Sequence, residues 1–485
     1  MSTDWEQTTE SEDMQITFVQ VFEGLYGINE AQGGYVNLLA KDVVISEDQL
    51  HYTVTLQDAT FQNGDALKAS DVVYSYRKAM ENPRFNYVTS MIDSVSEIDD
   101  KTVQFDLKYP YSPIAHTFFT IKISSEREVT EAGASFGTAP HTAGTGPYMI
   151  TDFDMASSIK LKAYDGYWRG EPAIKNVEYV VISEDSAAVI AYENGEIDYL
   201  HDAPTAEWDV LTAAAGDNCT MVMGNNIRCI SINWESKANN GILADELVRR
   251  AICYAIDKEG LNLAVVGGRG VIAQEYMPSD YVPTSPKASD QGFELYEYDP
   301  EKAKELLLEA GLTAAQLSEG VDIGTILTYG AQTGQNAKIA QVIQANLAEV
   351  GLTCGVEVLD IAIASPRMHS YDYDMAIFAD SGNYDFNNIR QQIHSESVGM
   401  YVIKYEGGPF EWQAWEDLLA QGVAVADVDA RKEIYRNLWA MVADSATILP
   451  CLHRPVAIVW SDDLDIGEPV PTYYKVYNFK WKDAQ

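Results

Sequence analysis

Segments with a two-residue hydrophobic period alternate with segments of helical period along all 485 residues, and this restricts the fold more than any other feature. Tyr52, Val54 and Leu56 alternate with polar residues in His51-Tyr-Thr-Val-Thr-Leu56, and Val103, Phe105 and Leu107 do so in Thr102-Val-Gln-Phe-Asp-Leu107. Both read as half-buried strands. Further strands are expected at 158–163, 176–182, 227–233, 375–378 and 457–460. Helical patterns fall between them, so the expected class is α/β.

The helices carry their own punctuation. Ser70 is placed to cap a helix bearing Val72, Val73, Tyr76 and Ala79. Asp299-Pro300-Glu301 supplies an N-cap, a proline at the first helical position and an acid in the first turn. The helix it opens has Ala303, Leu306, Leu307 and Ala310 on one face and ends at Gly311. Ala340, Ile343, Leu347 and Val350 form a second stripe, ended by Gly351. Asp429 is the expected cap of a helix with Ile434, Leu438 and Met441, and 247–256 is a further helix. No internal repeat or low-complexity linker divides the chain.

Charge excludes some functions. Acidic residues number 73 against 33 basic ones, a formal net charge of −40. Nucleic acid is not an expected partner, because phosphate contacts need clustered Lys and Arg. No run approaches about 18 apolar residues, so no membrane-spanning helix is expected. The start, Met1-Ser2-Thr3-Asp4-Trp5-Glu6, lacks the basic and apolar segments of a secretory leader. That fits a cytoplasmic protein, or a secreted one without its leader. The five cysteines, 219, 229, 253, 354 and 451, include no C-x-x-C, so neither a disulfide framework nor a zinc site is expected. A bridge between Cys219 and Cys229 across a turn at Gly224-Asn225-Asn226 is open to the sequence, with free buried thiols preferred.

Catalytic signatures are missing: there is no P-loop, H-E-x-x-H, G-x-S-x-G or G-x-G-x-x-G. The seven histidines are scattered, with no pair at helical ligand spacing. No cofactor and no metal site is expected, and the chain is not read as an enzyme. A hydrolase built on two carboxylates remains the alternative from a different class, with no motif behind it.

What the sequence does contain is an ordered series of segments. Phe22-Glu-Gly-Leu-Tyr26 is followed by Tyr52-Thr-Val-Thr-Leu56, Phe61-Gln-Asn-Gly-Asp65 and Ala69-Ser-Asp-Val-Val-Tyr-Ser75. Then come Gly144-Thr-Gly-Pro-Tyr148, Tyr164-Asp-Gly-Tyr-Trp-Arg-Gly-Glu-Pro172 and Asn194-Gly-Glu-Ile-Asp198. Val248-Arg-Arg-Ala-Ile-Cys-Tyr-Ala-Ile-Asp257, Tyr298-Asp-Pro-Glu-Lys-Ala-Lys-Glu-Leu-Leu307, Ile343-Gln-Ala-Asn-Leu-Ala-Glu-Val-Gly351 and Tyr373-Asp-Met375 complete it. In this order the series resembles the family 5 extracellular solute-binding proteins, the peptide- and nickel-type receptors of ABC importers. Most of the segments read as structural. Gly144 and Gly146 permit a backbone path that a Cβ would obstruct, Arg249, Arg250 and Asp257 read as ion-pair formers, and Tyr164, Tyr167 and Trp168 as packing.

The resemblance implies a type II, class C periplasmic-binding-protein-like fold of two α/β lobes, joined by a hinge, with ligand enclosed between them. Lobe one would comprise 1–27, 144–233 and 455–485, with an extra subdomain at 28–143. Lobe two would comprise 234–454, with hinge candidates at Asn233-Trp234 and Arg454-Pro455. The resemblance further implies a peptide ligand, a membrane-embedded ABC permease as partner, and a monomer. The place of work would be the extracellular face, lipid-anchored, or the periplasm. Alternatives within the family are a metal chelate, an oligosaccharide, an opine or haem.

In peptide-binding members an acid of lobe two pairs with the ligand's amino terminus. The matching loop here reads Ala379-Asp-Ser-Gly-Asn-Tyr-Asp-Phe386, which makes Asp380 and Asp385 candidate ligand contacts, with Asn383 and Tyr384 beside them. Asn383 and Tyr384 depart from the dipeptide receptors' pattern. Arg367 is the candidate for a ligand carboxylate, with Arg228 and Arg390 as rivals. Tyr26 and Trp412 are candidate binding aromatics.

Overall fold

The computed structural model describes residues 4–7, 15–29, 34–154, 157–182, 184–287, 289, 292, 294–330, 334–381, 384–394 and 410–482. The chain divides into two compact units, Met1–Val222 with Val456–Gln485, and Met223–Pro455. It passes from one to the other inside two long strands, Cys219–Ile232 and Ile448–Trp460.

The first unit contains a four-stranded antiparallel sheet in the order Ala40–Ile45, His51–Leu56, Thr102–Leu107, Ile92–Asp99. Its register sets Tyr52 opposite Phe105 and Val54 opposite Val103, so the alternating apolar residues share one face. The helix Ala69–Glu81 buries Val72, Val73, Tyr76 and Ala79, and Tyr76 meets Phe105 edge-on at 4.7 Å. Burying a valine-sized or larger apolar side chain is worth about 1.5–3 kcal/mol, and the single methyl of Ala79 about 0.8 kcal/mol. The cap differs from expectation. Lys68 occupies the N-cap position, and Asp71, three residues on, accepts from the Lys68 amide at 3.0 Å. Ser70 lies inside the first turn, because the helix starts one residue before it.

A three-stranded antiparallel sheet, Tyr148–Asp154, Ser158–Ala163 and Asn176–Val180, follows. Its approach is tight: the Gly146 amide donates to the Val21 carbonyl at 2.9 Å, and a Cβ on Gly146 would lie 2.6 Å from the Gln20 carbonyl oxygen. A Cβ on Gly144 would collide with the Val21 carbonyl. Both glycines are therefore required by backbone packing.

The second unit is built on a mixed sheet. Cys219–Ile232 runs antiparallel to Met375–Ser381, which is parallel to Val321–Tyr329, which is parallel to Leu352–Leu359. The helix Gln335–Glu349 connects the last two, the crossover a parallel pair needs. The pleat sorts two cores. Ile230, Ile232, Met375 and Ile377 pack on one face with Val248, Ile252 and Leu347. Ile227, Cys229, Ala376 and Phe378 pack on the other with Tyr276, Trp415, Tyr435 and Trp439.

Four local expectations are corrected. Gly224-Asn225-Asn226 is no turn, because the strand continues through it. Cys219 and Cys229 thus sit on one extended strand, at ~3.3 Å per residue far beyond disulfide reach; all five thiols are free. The helix Val428–Asp444 is capped by Asp427, which accepts from the Ala430 amide at 2.8 Å, and Asp429 lies in its first turn. Arg249 makes no ion pair among the described residues. It is buried and donates to the carbonyls of Ser445, Leu243 and Ala244, tying its helix to the loop before it and the end of Val428–Asp444.

Candidate functional site

Asp380 lies near the end of Met375–Ser381, opposite Ile227, and shares its face with Phe378. It is half-buried. The Tyr276 hydroxyl donates to Oδ2 at 2.5 Å, and the Asn388 amide reaches Oδ1 at 3.1 Å and Oδ2 at 2.9 Å. Each donor is itself fixed. Tyr276 packs its ring 5.9 Å from Trp439, and the buried Asn388 accepts from Gln391 Nε2 at 2.8 Å. Tyr276 and Asn388, two neutral hydrogen-bond donors, thus help to orient the Asp380 carboxylate, a group whose charge-assisted bonds to a cation are strong.

Asp385 is placed differently. Arg431 grips it with both arms, Nη1 to Oδ2 at 2.6 Å and Nη2 to Oδ1 at 2.7 Å. Its Oδ1 also accepts from the Asn387 amide at 2.9 Å, capping the 3-10 helix Phe386–Ile389. Arg431 is 4% exposed and also donates to the Gly422 carbonyl at 2.8 Å. Both oxygens of Asp385 therefore serve a buried bidentate pair that holds the loop to the helices behind it.

The other candidates are dispersed. The Tyr384 hydroxyl lies 3.1 Å from that of Tyr281, with the rings 5.3 Å apart. Asn383 lies outside the described residues. Trp412 begins the helix Trp412–Ala424 and packs partly buried on the aromatic core. Arg367, on the helix Ile361–His369, pairs with Glu357 at 2.7 Å and Asp372 at 3.0 Å. Arg228 stands on the sheet face opposite to that of Asp380, since it aligns with Ala379, and its guanidinium bonds the Asn226 side chain at 2.5 Å. Arg390 starts the short helix Arg390–Ile393. Tyr26 belongs to the first unit, half-buried, with its ring 5.3 Å from Phe118.

Sequence reasoning missed the residues that orient Asp380. Tyr276 is 104 positions away, and no local pattern links the two. It also passed over Glu23, although the motif Phe22-Glu-Gly-Leu-Tyr26 contains it. Glu23 is buried and accepts from the Tyr167 hydroxyl at 2.7 Å and Trp168 Nε1 at 2.9 Å. Burial raises its pKa, and those two hydrogen bonds oppose the rise. Tyr167 and Trp168 thus do more than pack. Among the described residues no group of three or more His, Cys, Asp or Glu could hold a metal ion, and no helix is long and apolar enough to cross a membrane.

Comparison with known proteins completes the picture. The family model described as bacterial extracellular solute-binding proteins, family 5 Middle, matches residues 34–392. The dipeptide-binding protein of Escherichia coli (strain K12) is 27% identical over 445 residues, 86% of this chain and 81% of that protein. The solved structure of the oligopeptide-binding protein AppA from Bacillus subtilis, in complex with a nonapeptide, matches with a TM-score of 0.83. It is 19% identical and covers 100% of this chain and 97% of that one. NikA from Brucella suis, in complex with Fe(III)-EDTA, matches with a TM-score of 0.84 at 21% identity, over 99% of this chain and 97% of that one.

Proposed function

This chain belongs to the bacterial extracellular solute-binding proteins of family 5, substrate-binding proteins of ABC transporters rather than enzymes, and we propose that its ligand is a peptide gripped by its amino terminus at Asp380. Its α/β fold is that of periplasmic binding proteins. The observation that carries the peptide reading is the Asp380 carboxylate, half-buried and held in one orientation by Tyr276 and Asn388. An ammonium group meeting it would form a charge-assisted bond, stronger and more selective than a neutral one. The similarity to a dipeptide-binding protein over most of both chains supports the same class of ligand.

On this reading Asp385 serves the loop and Asp380 the ligand, with Tyr384 and Trp412 as further candidate contacts in the second unit. Arg367, already paired twice, is a weaker candidate for the ligand carboxylate than sequence position suggests. The two compact units are the two lobes of the receptor, with hinges in the strand segments where the chain passes between them. A ligand with higher affinity for the closed form stabilises it. The protein works as a monomer outside the cell membrane, lipid-anchored or periplasmic, and delivers the peptide to a membrane-embedded ABC permease.

Calorimetric titration with trialanine and N-acetyl-trialanine tests the anchor. Acetylation removes the cation, so binding is expected to weaken at least about tenfold. Asp380→Asn should weaken trialanine binding similarly and leave little difference between the two peptides. Equal affinity of both peptides for the unmodified protein would refute the anchor.

A further inference from the structure

Tyr276, which helps to orient Asp380, lies on the segment that joins the helix Lys258–Val266 to the helix Pro300–Glu309. One side chain staples that segment at two places. Lys258 Nζ donates to the Ala273 carbonyl at 3.2 Å and to the Leu295 carbonyl at 3.3 Å. Ala273 and Leu295 thus meet at a single nitrogen, although the chain makes a long excursion between them.

A lysine is unfavourable at this position on two counts. It is the first residue of its helix, at the positive end of the macrodipole, with Asp257 as the cap that accepts from the Gly260 amide at 2.9 Å. It is also 7% exposed, and among the described residues it makes no ion pair. Burial pushes its ammonium below the ordinary pKa. The two carbonyl bonds offset these terms, and they are charge-assisted.

The segment so held is built toward Asp380. Asn262, on the same helix, donates to the Gly270 carbonyl at 3.0 Å and accepts from the Gly270 amide at 2.9 Å. Val271 and Ile272 then pair with His453 and Leu452. The Ala273 amide donates to the Cys451 carbonyl at 3.2 Å. Three residues on, Tyr276 is fully buried, with its ring 5.9 Å from Trp439 and 6.4 Å from Phe386. Farther along, the Tyr281 hydroxyl lies 3.1 Å from that of Tyr384, and Thr284 Oγ1 accepts from the Phe386 amide at 2.8 Å. Ser285 Oγ donates to the Met277 carbonyl at 2.6 Å, which folds this stretch back on itself. The segment therefore meets Asp380, Tyr384 and Phe386 in turn. Its far end is fixed too. Tyr296 is held at a φ of 49°, which bulky residues rarely adopt, and its hydroxyl donates to the Ala443 carbonyl at 2.9 Å.

We propose that Lys258 is a positioning residue of the amino-terminal anchor: by gripping the Ala273 and Leu295 carbonyls it pins the base of this segment, and through Tyr276 it holds the Asp380 carboxylate where a ligand's ammonium group meets it. Lys258 acts through Tyr276 and touches no ligand itself. Its role in binding rests on the Asp380 reading, whereas the pinning stands on the two carbonyl bonds.

Calorimetric titration of the full chain with trialanine and N-acetyl-trialanine gives a ratio of affinities that reports the anchor. In Tyr276→Phe this ratio is expected to fall at least about threefold. Lys258→Met, and the milder Lys258→Gln, should lower it in the same direction and leave the affinity for the acetylated peptide little changed. Neither should lower it further when combined with Tyr276→Phe, since the two residues act in series. A lysine that serves stability alone would lower the melting temperature and leave the ratio untouched wherever the variant is folded. That result, or effects that add in the double variant, would overturn the positioning role. Failure of both lysine variants to fold would overturn it as well, by making Lys258 a residue of the fold. Should the unmodified protein bind both peptides equally, the anchor itself fails, and hydrogen–deuterium exchange decides the pinning. Faster exchange over residues 273–285 in Lys258→Gln would uphold the pin, and unchanged exchange would refute it.

Discussion

Asp380, near the end of the strand Met375–Ser381, and Asp385, the cap of the 3-10 helix Phe386–Ile389, lie five positions apart, and the partners that folding brings to them differ. Asp385 meets Arg431, 46 residues later, in a bidentate pair that is almost wholly buried. Asp380 meets Tyr276, 104 residues earlier, and Asn388. The resemblance of the segment singles out both acids as candidates but not their partners, because side-chain pairing at that separation leaves no local pattern. Removing one member of a buried pair strands the other charge, at about 3–5 kcal/mol. Asp385→Asn is therefore expected to lower the denaturation midpoint markedly, and adding Arg431→Met should recover part of the loss. A binding defect at unchanged stability would show that Asp385 belongs to the ligand after all.

Elements whose signals are local were read well. Asp299 caps Pro300–Glu309, accepting from the Lys302 amide at 2.9 Å, because cap, proline and apolar stripe are encoded within a dozen residues. The strands His51–Leu56 and Thr102–Leu107 carry the alternation their single buried face requires. Failures came where tertiary pairing overrides local preference. Gly224-Asn225-Asn226 has turn composition, yet Asn226 pairs with Ser381 in the long strand Cys219–Ile232. The glycines at 144 and 146 were legible as a tight backbone path, though not which backbone they approach. Since that backbone is residues 20–21, Gly146→Ala must displace the entry to the three-stranded sheet. A loss of about 1–3 kcal/mol or more is expected, visible as a lower melting temperature. An unchanged melt would mean that this approach is not tightly packed.

At the scale of the molecule, the ordered motifs identified the family over most of the chain, and the family model matches residues 34–392. The long spacing between motifs carried that information, since each segment alone describes a generic capped helix or strand. The ligand was less legible, because specificity rests on a few side chains set in a scaffold that serves many solutes. The net charge of −40 belongs to the chain as a whole, so it does not predict the charge of the group that any one pocket accepts. Native mass spectrometry of the purified full chain, with mild activation to release what it carries, tests the central claim most directly. A receptor for peptides is expected to show a distribution of adducts whose fragments are peptides with free amino termini. A single adduct that is a metal chelate, a sugar, an opine or haem would contradict the account.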